Sequence, residues 1–97
     1  MPFRQFMGGY NHSMKPIQFD GHTLSRMALR GDHEDEVITA IRETKWEGAK
    51  KGRFQCRKSF SYLKEWNGKT YNTKQVKVIF EELETEIIVD TVYVFYF

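Results

Sequence analysis

Asn67-Gly68 stands between two runs of alternating residues, and no other feature restricts the chain as much. Asn-Gly suits the left-handed backbone at both central positions of a type I′ turn, whose twist matches the strands it joins. Upstream, Phe54, Cys56, Lys58, Phe60 and Tyr62 alternate with Arg53, Gln55, Arg57, Ser59 and Ser61. A period of two marks a strand with one face partly buried. Downstream, residues 70–83 are the expected return strand, with Val76, Val78 and Phe80 on its core side. Glu84-Thr85 predicts the next turn. After it, residues 86–97, EIIVDTVYVFYF, are nearly all apolar or aromatic. A strand of that composition belongs at the centre of a sheet or buried on both faces. Short turns between consecutive strands impose antiparallel pairing.

Ahead of this meander the pattern is helical. Asp20 is placed to cap a helix over residues 21–30, and Gly31 to end it in the left-handed conformation. Leu24, Met27 and Ala28 form its apolar side. Asp32 is the expected cap of a second helix, whose first turn carries Glu34, Asp35 and Glu36 where the dipole favours acids. Val37, Ile38 and Ile41 give that helix its stripe, and it should fade over residues 44–46. A short strand is expected at residues 16–19. The fold class that follows is α+β, with two N-terminal helices packed on one face of a three- to four-stranded antiparallel sheet. The opposite face is left for a ligand. Residues 1–15 carry Gly8, Gly9 and Asn11 without a sustained period and read as a flexible N-terminal arm. Residues 16–97 read as a single domain.

A chain of 97 residues, 40% hydrophobic and 15% aromatic, can build one core without covalent staples. Its single cysteine, Cys56, excludes an internal disulfide and a cysteine-rich zinc site. Cys56 lies on the apolar parity of its strand and reads as a small core residue. No apolar run is long enough to span a membrane, and the N-terminal stretch lacks the apolar segment of a secretory signal. The expected location is cytoplasmic. The net charge of +2 conceals a segregation: residues 37–77 hold eleven Lys or Arg against three Glu, whereas residues 81–90 hold five acids and no base. Such blocks predict a polarised surface. The acidic run DHEDE at residues 32–36 is explained by the helix start, so no metal and no cofactor are expected.

Three constellations could carry chemistry. His22, Arg26 and Arg30 are four residues apart, so each step around the helix drifts by only ~40° and the three share a face. Histidine can act as general acid or base near neutral pH, and arginine forks bind phosphate and stabilise charge developing on it. The second set is the basic loop at residues 50–58, with Lys50, Lys51, Arg53, Arg57 and Lys58 around Phe54. Cations with an interleaved aromatic suit a nucleic-acid backbone with base stacking. Thr91 and Tyr93 form the third, on one face of the last strand, where a tyrosine can bond phosphate or stack on a base. Solvated faces and core packing are the alternative explanations of these three patterns.

Together these residues resemble a small bacterial family of unknown function related to the RelE- and BrnT-like toxins. The likeness covers about residues 17–95 and rests on three motifs. They are H-x-x-x-R-x-x-x-R-G at His22, Arg26, Arg30 and Gly31, the stretch EDEVITAIR, and V-x-T-x-Y at Val89, Thr91 and Tyr93. The resemblance implies a RelE-like toxin fold and, for many relatives, a ribonuclease held by an antitoxin. It implies a metal-independent endoribonuclease in which the RNA 2′-hydroxyl attacks the adjacent phosphate. His22 would move a proton, Arg26 would stabilise the phosphorane, and Tyr93 would stand beside them. Arg30, Thr91, Lys50, Lys51, Arg53, Arg57 and Lys58 would hold the backbone. The partners expected are RNA, a cognate antitoxin protein and a second copy through the C-terminal strand, with no membrane. Two other readings stand beside this one. One is a non-enzymatic protein- or nucleic-acid-binding module of the same fold. The other is a self-associating structural protein that uses VYVFYF for strand addition.

Overall fold

The computed structural model describes residues 14–97, so the expected N-terminal arm lies almost wholly outside the described residues. The chain runs β1 (Ile17–Gln18), α1 (Gly21–Leu29), α2 (Glu34–Glu43), β2 (Glu47–Gly48), a 3-10 turn (Lys50–Gly52), β3 (Phe54–Trp66), β4 (Lys69–Glu82) and β5 (Ile87–Tyr96). The β3–β4 hairpin closes where the turn chemistry requires it. Trp66 faces Lys69, and Asn67 and Gly68 take φ of 51° and 84°.

The sheet departs from the expectation in two ways. Among the described residues it has five strands in the order β1-β5-β4-β3-β2, and it is mixed, because β1 runs parallel to β5 with Ile17 opposite Ile87. Short turns dictate direction only between consecutive strands. The first and last strands are separated by every other element, so nothing local constrains how they pair. Because β1 meets only Ile87 and Ile88, the remainder of β5 borders the sheet instead of lying at its centre. Helix α1 packs beside it there.

Alternate residues of the long strands supply the core. Val76, Val78 and Phe80 of β4 join Cys56, Ile87, Val89 and Val92, and the same cluster takes in Met27, Val37, Ala40 and Ile41 from the helices. Val89 and Val92 have opposite parity yet share this cluster. A register shift reconciles them: Phe80 pairs with Val89 and Ile79 with Thr91, which leaves Asp90 as an extra residue in β5.

Both helices also differ in detail from their patterns. Asp20 caps α1 as expected, its Oδ1 accepting from the Thr23 amide at 2.8 Å. However, Thr23 and Met27 are its buried residues, and Ala28 is exposed. Ala28 sits ~100° around the helix from Met27, too far to share so narrow a contact. Asp32 does not cap α2. His33 holds that position, while Asp32 turns inward and accepts from the His33 amide at 2.8 Å.

Gly31 takes φ +76°, and a Cβ there would lie 2.6 Å from Trp66 Cζ3 and 2.7 Å from the Tyr96 hydroxyl. Gly31→Ala is therefore expected to cost about 2–4 kcal/mol, from left-handed strain together with overpacking. A urea midpoint within error of the wild type would show that the two rings move aside freely.

Candidate functional site

The rotation of α1 that buries Thr23 and Met27 decides where its cations go. His22, Arg26 and Arg30 adjoin the buried stripe rather than oppose it, so they face β5. A cavity of about 230 Å³ lies between the two elements, lined by His22, Thr23, Arg26, Met27 and Arg30 from the helix side and by Asp90, Thr91 and Val92 from the strand. His22 and Arg26 are exposed, whereas Arg30 is half-buried. Arg30 is also fixed in place. Its Nη1 donates to the Val92 carbonyl at 2.6 Å, and its guanidinium lies 6.0 Å from the centre of the Tyr93 ring.

A second, wider cavity of about 700 Å³ adjoins the first. Its floor is Gln55, Ile79 and Thr91, and its wall is the turn that carries Lys50, Lys51 and Arg53. Lys51 and Gly52 adopt φ of 60° and 74°, which folds this turn tightly over the sheet. Asp90 and Thr91 line both cavities, so they form one continuous cleft. Asp90, the extra residue of the bulge, is the carboxylate in it. Arg53 Nε donates to Asp90 Oδ2 at 2.9 Å, and both side chains are substantially exposed. An exposed pair of this kind contributes only about 0–1 kcal/mol, so an incoming anion can replace the carboxylate on Arg53.

The cleft thus brings together His22, Arg26, Arg30, Lys50, Lys51, Arg53 and Thr91. Tyr93 lies on the same face as Thr91, two residues along β5, with Lys77 5.7 Å from its ring. Arg57 is level with Lys77 and Tyr93 across the three strands. Lys58 points to the opposite face of β3, its ammonium 5.6 Å from the Phe60 ring. The expected loop at residues 50–58 is therefore a loop only as far as Arg53. Phe54 does not offer its ring to a base, because it packs 5.4 Å from Trp46 and 6.1 Å from Phe80.

Sequence reasoning missed Asp90 and Lys77. Lys77 shares the parity of Ile79 on its strand and could have been found. Asp90 could not, because its position depends on the bulge. Cys56 is buried, and burial pushes its thiol up to about 11, which keeps it protonated near neutral pH. Among the described residues no group of three or more His, Cys, Asp or Glu is arranged to hold a metal ion. No helix there is long and apolar enough to cross a membrane. No protein family, curated protein or solved structure matches the chain.

Proposed function

We propose that the continuous cleft binds the backbone of RNA, and that His22 and Arg26 cleave it as a metal-independent, toxin-like endoribonuclease of RelE-like fold. One observation carries this reading: cations from α1 and from the turn before β3 converge on the same groove at Thr91. Arg26, Arg30, Lys50, Lys51 and Arg53 against the one displaceable carboxylate of Asp90 suit a chain of phosphates. In the reaction, the 2′-oxygen forms a bond to phosphorus as the bond to the 5′-oxygen breaks. The products are a 2′,3′-cyclic phosphate and a free 5′-hydroxyl. His22 accepts the proton of the 2′-hydroxyl, and solvent protonates the leaving 5′-oxygen. Arg26, exposed at the mouth of the narrower cavity, meets the charge that builds on the phosphoryl oxygens. Arg30 is held by β5 and positions the phosphate.

A binding module without catalysis would use the same cleft but make no demand on His22. Cleavage by the wild-type protein separates the two. An antitoxin would act by covering the cleft, and the protein would work on cytoplasmic RNA. A second copy that paired along β5 beyond Ile88 would have to displace Arg30 from the Val92 carbonyl.

Replacing Lys50, Lys51 and Arg53 together with Ala is expected to weaken binding to all RNA sequences alike. It should also flatten the dependence of log K on log salt by about 0.7 for each phosphate of a single strand that is no longer neutralised. Fluorescence anisotropy across a sodium chloride series measures both effects. An unchanged slope would remove this turn from the interface.

A further inference from the structure

The cleft opens onto a face of the sheet that carries a different chemistry. From Thr91 outward, every second residue of β5 points to this face: Tyr93, Phe95 and then Phe97, which continues the ladder by exchanging backbone hydrogen bonds with Thr73. The three rings are 40%, 47% and 60% exposed. Across β4 and β3, Lys77 and Arg57 stand level with Tyr93, and the uncharged Gln75 and Ser59 stand level with Phe95. Among the described residues, no carboxylate occurs on this face in the paired rows from Tyr93 to Phe97, and the row of Thr91 ends on Glu47 beside Gln55. Three exposed aromatic rings in line form a surface that needs a partner.

We infer that this face is a stacking track for single-stranded RNA, in which bases lie on Tyr93, Phe95 and Phe97 while Lys77 and Arg57 hold the phosphates beside them. The inference rests on the RNA reading of the adjoining cleft and extends it to the form of the substrate. Same-face residues on a strand are ~6.8 Å apart. Bases stacked in a duplex strand are ~3.4 Å apart, half that spacing. A base on each ring is therefore separated from its neighbour, which a paired duplex does not allow. Stacking on aromatic rings tolerates every base, so the track selects single strands without selecting sequence. The charge on the face argues for RNA over a protein partner. An apolar partner would cover Phe95 and Phe97 but desolvate Lys77 and Arg57 without pairing them. A phosphate backbone pairs both.

The test uses the full chain carrying His22→Ala, to stop cleavage, with a fluorescent uridine hexamer and an RNA duplex of equal length. The hexamer is expected to bind more tightly than the duplex. Phe95→Ala and Phe97→Ala should each weaken the hexamer on the order of ten-fold, in line with the stacking contribution of one base. Both should leave duplex binding and thermal unfolding unchanged, and Phe95→Trp should retain hexamer affinity. If the Lys50, Lys51 and Arg53 substitutions abolish binding while Phe95→Ala and Phe97→Ala change nothing, the cleft reading stands and the track is refuted. Failure of both RNAs to bind at all would refute the two together. A concentration-dependent dimer that Phe95→Ala dissociates, seen by sedimentation, would assign the face to a second copy and overturn the proposal.

Discussion

His22→Ala is expected to slow RNA cleavage by ~10²–10⁴-fold, the usual loss when a general acid or base is removed. Thermal stability should stay unchanged. His22 lies in the first turn of α1 and is exposed, so its truncation opens no core. The capping bond from Thr23 to Asp20, which holds the Asp20 carboxyl below its ordinary range, does not involve the imidazole. Hexamer binding should fall much less than the rate, because Arg30 and the turn before β3 still hold the backbone. Arg26→Ala should likewise lower the rate more than it lowers binding, since phosphate charge grows toward the transition state. Single-turnover cleavage of a labelled RNA, read beside a melting curve, tests the assignment. Equal loss of rate and stability would make the histidine structural. A rate within a few-fold of wild type would exclude the nuclease reading and leave the binding cleft intact.

What could be foreseen of this site follows from how local each signal is. The turn at Asn67-Gly68, the Asp20 cap and the Gly31 stop each depend on a few adjacent residues, and all three occur where those residues demand them. The shared face of His22, Arg26 and Arg30 also follows from helix geometry alone. Its placement against β5 does not. It depends on the exact rotation of α1, which buries Thr23 rather than Ala28, and on β1 pairing in parallel with the far end of the chain. Neither pairing nor rotation is written in a short window of sequence. The bulge at Asp90 was hidden for another reason. In a strand that is apolar on both parities, a one-residue shift leaves no break in the pattern. Lys74 shows the opposite failure. Its parity with Val76, Val78 and Phe80 marks it as inward-facing, but a lysine reads as surface.

Among the described residues Lys74 is in fact the largest of the fully buried side chains, at 2% exposure. Its ammonium donates to Glu36 Oε1 at 2.6 Å and to the Gly31 carbonyl, with the Tyr62 ring 5.9 Å away. Asp32 adjoins this pair. Burial, and then its hydrogen bond to Glu36, push Asp32 up to about 7. Burial acts on Glu36 in the same direction, but its bonds with Asp32 and Lys74 outweigh it and hold Glu36 below its ordinary value. Asp32 thus keeps its proton toward neutral pH, while Glu36 stays ionised and answers Lys74. A carboxyl that binds its proton more tightly when folded stabilises the fold below its unfolded value of 3.8 and loses that contribution as pH rises through about 7. The urea midpoint should accordingly fall between pH 5 and pH 8.

Lys74→Met is expected to destabilise the protein by about 3–5 kcal/mol at pH 8, where it leaves the half-buried Glu36 and the buried Asp32 beside it without their cation. At pH 5 the loss should be smaller. Without the ammonium both carboxyls favour their neutral forms, so folding takes up protons and the variant's stability falls with pH more steeply than the wild type's. Adding Glu36→Gln should recover much of the loss, because it removes the stranded charge. A Lys74→Met variant as stable as wild type at pH 8 would show that the ion pair contributes nothing to the fold. The consequence reaches the cleft as well. Lys74 binds the Gly31 carbonyl, and the Tyr96 hydroxyl donates to the Arg30 carbonyl at 2.8 Å. These two bonds fix the end of α1 and with it the guanidinium that Val92 holds. Lys74→Met should therefore weaken RNA binding at pH 8 more than at pH 5, although Lys74 itself is too deeply buried to touch the ligand.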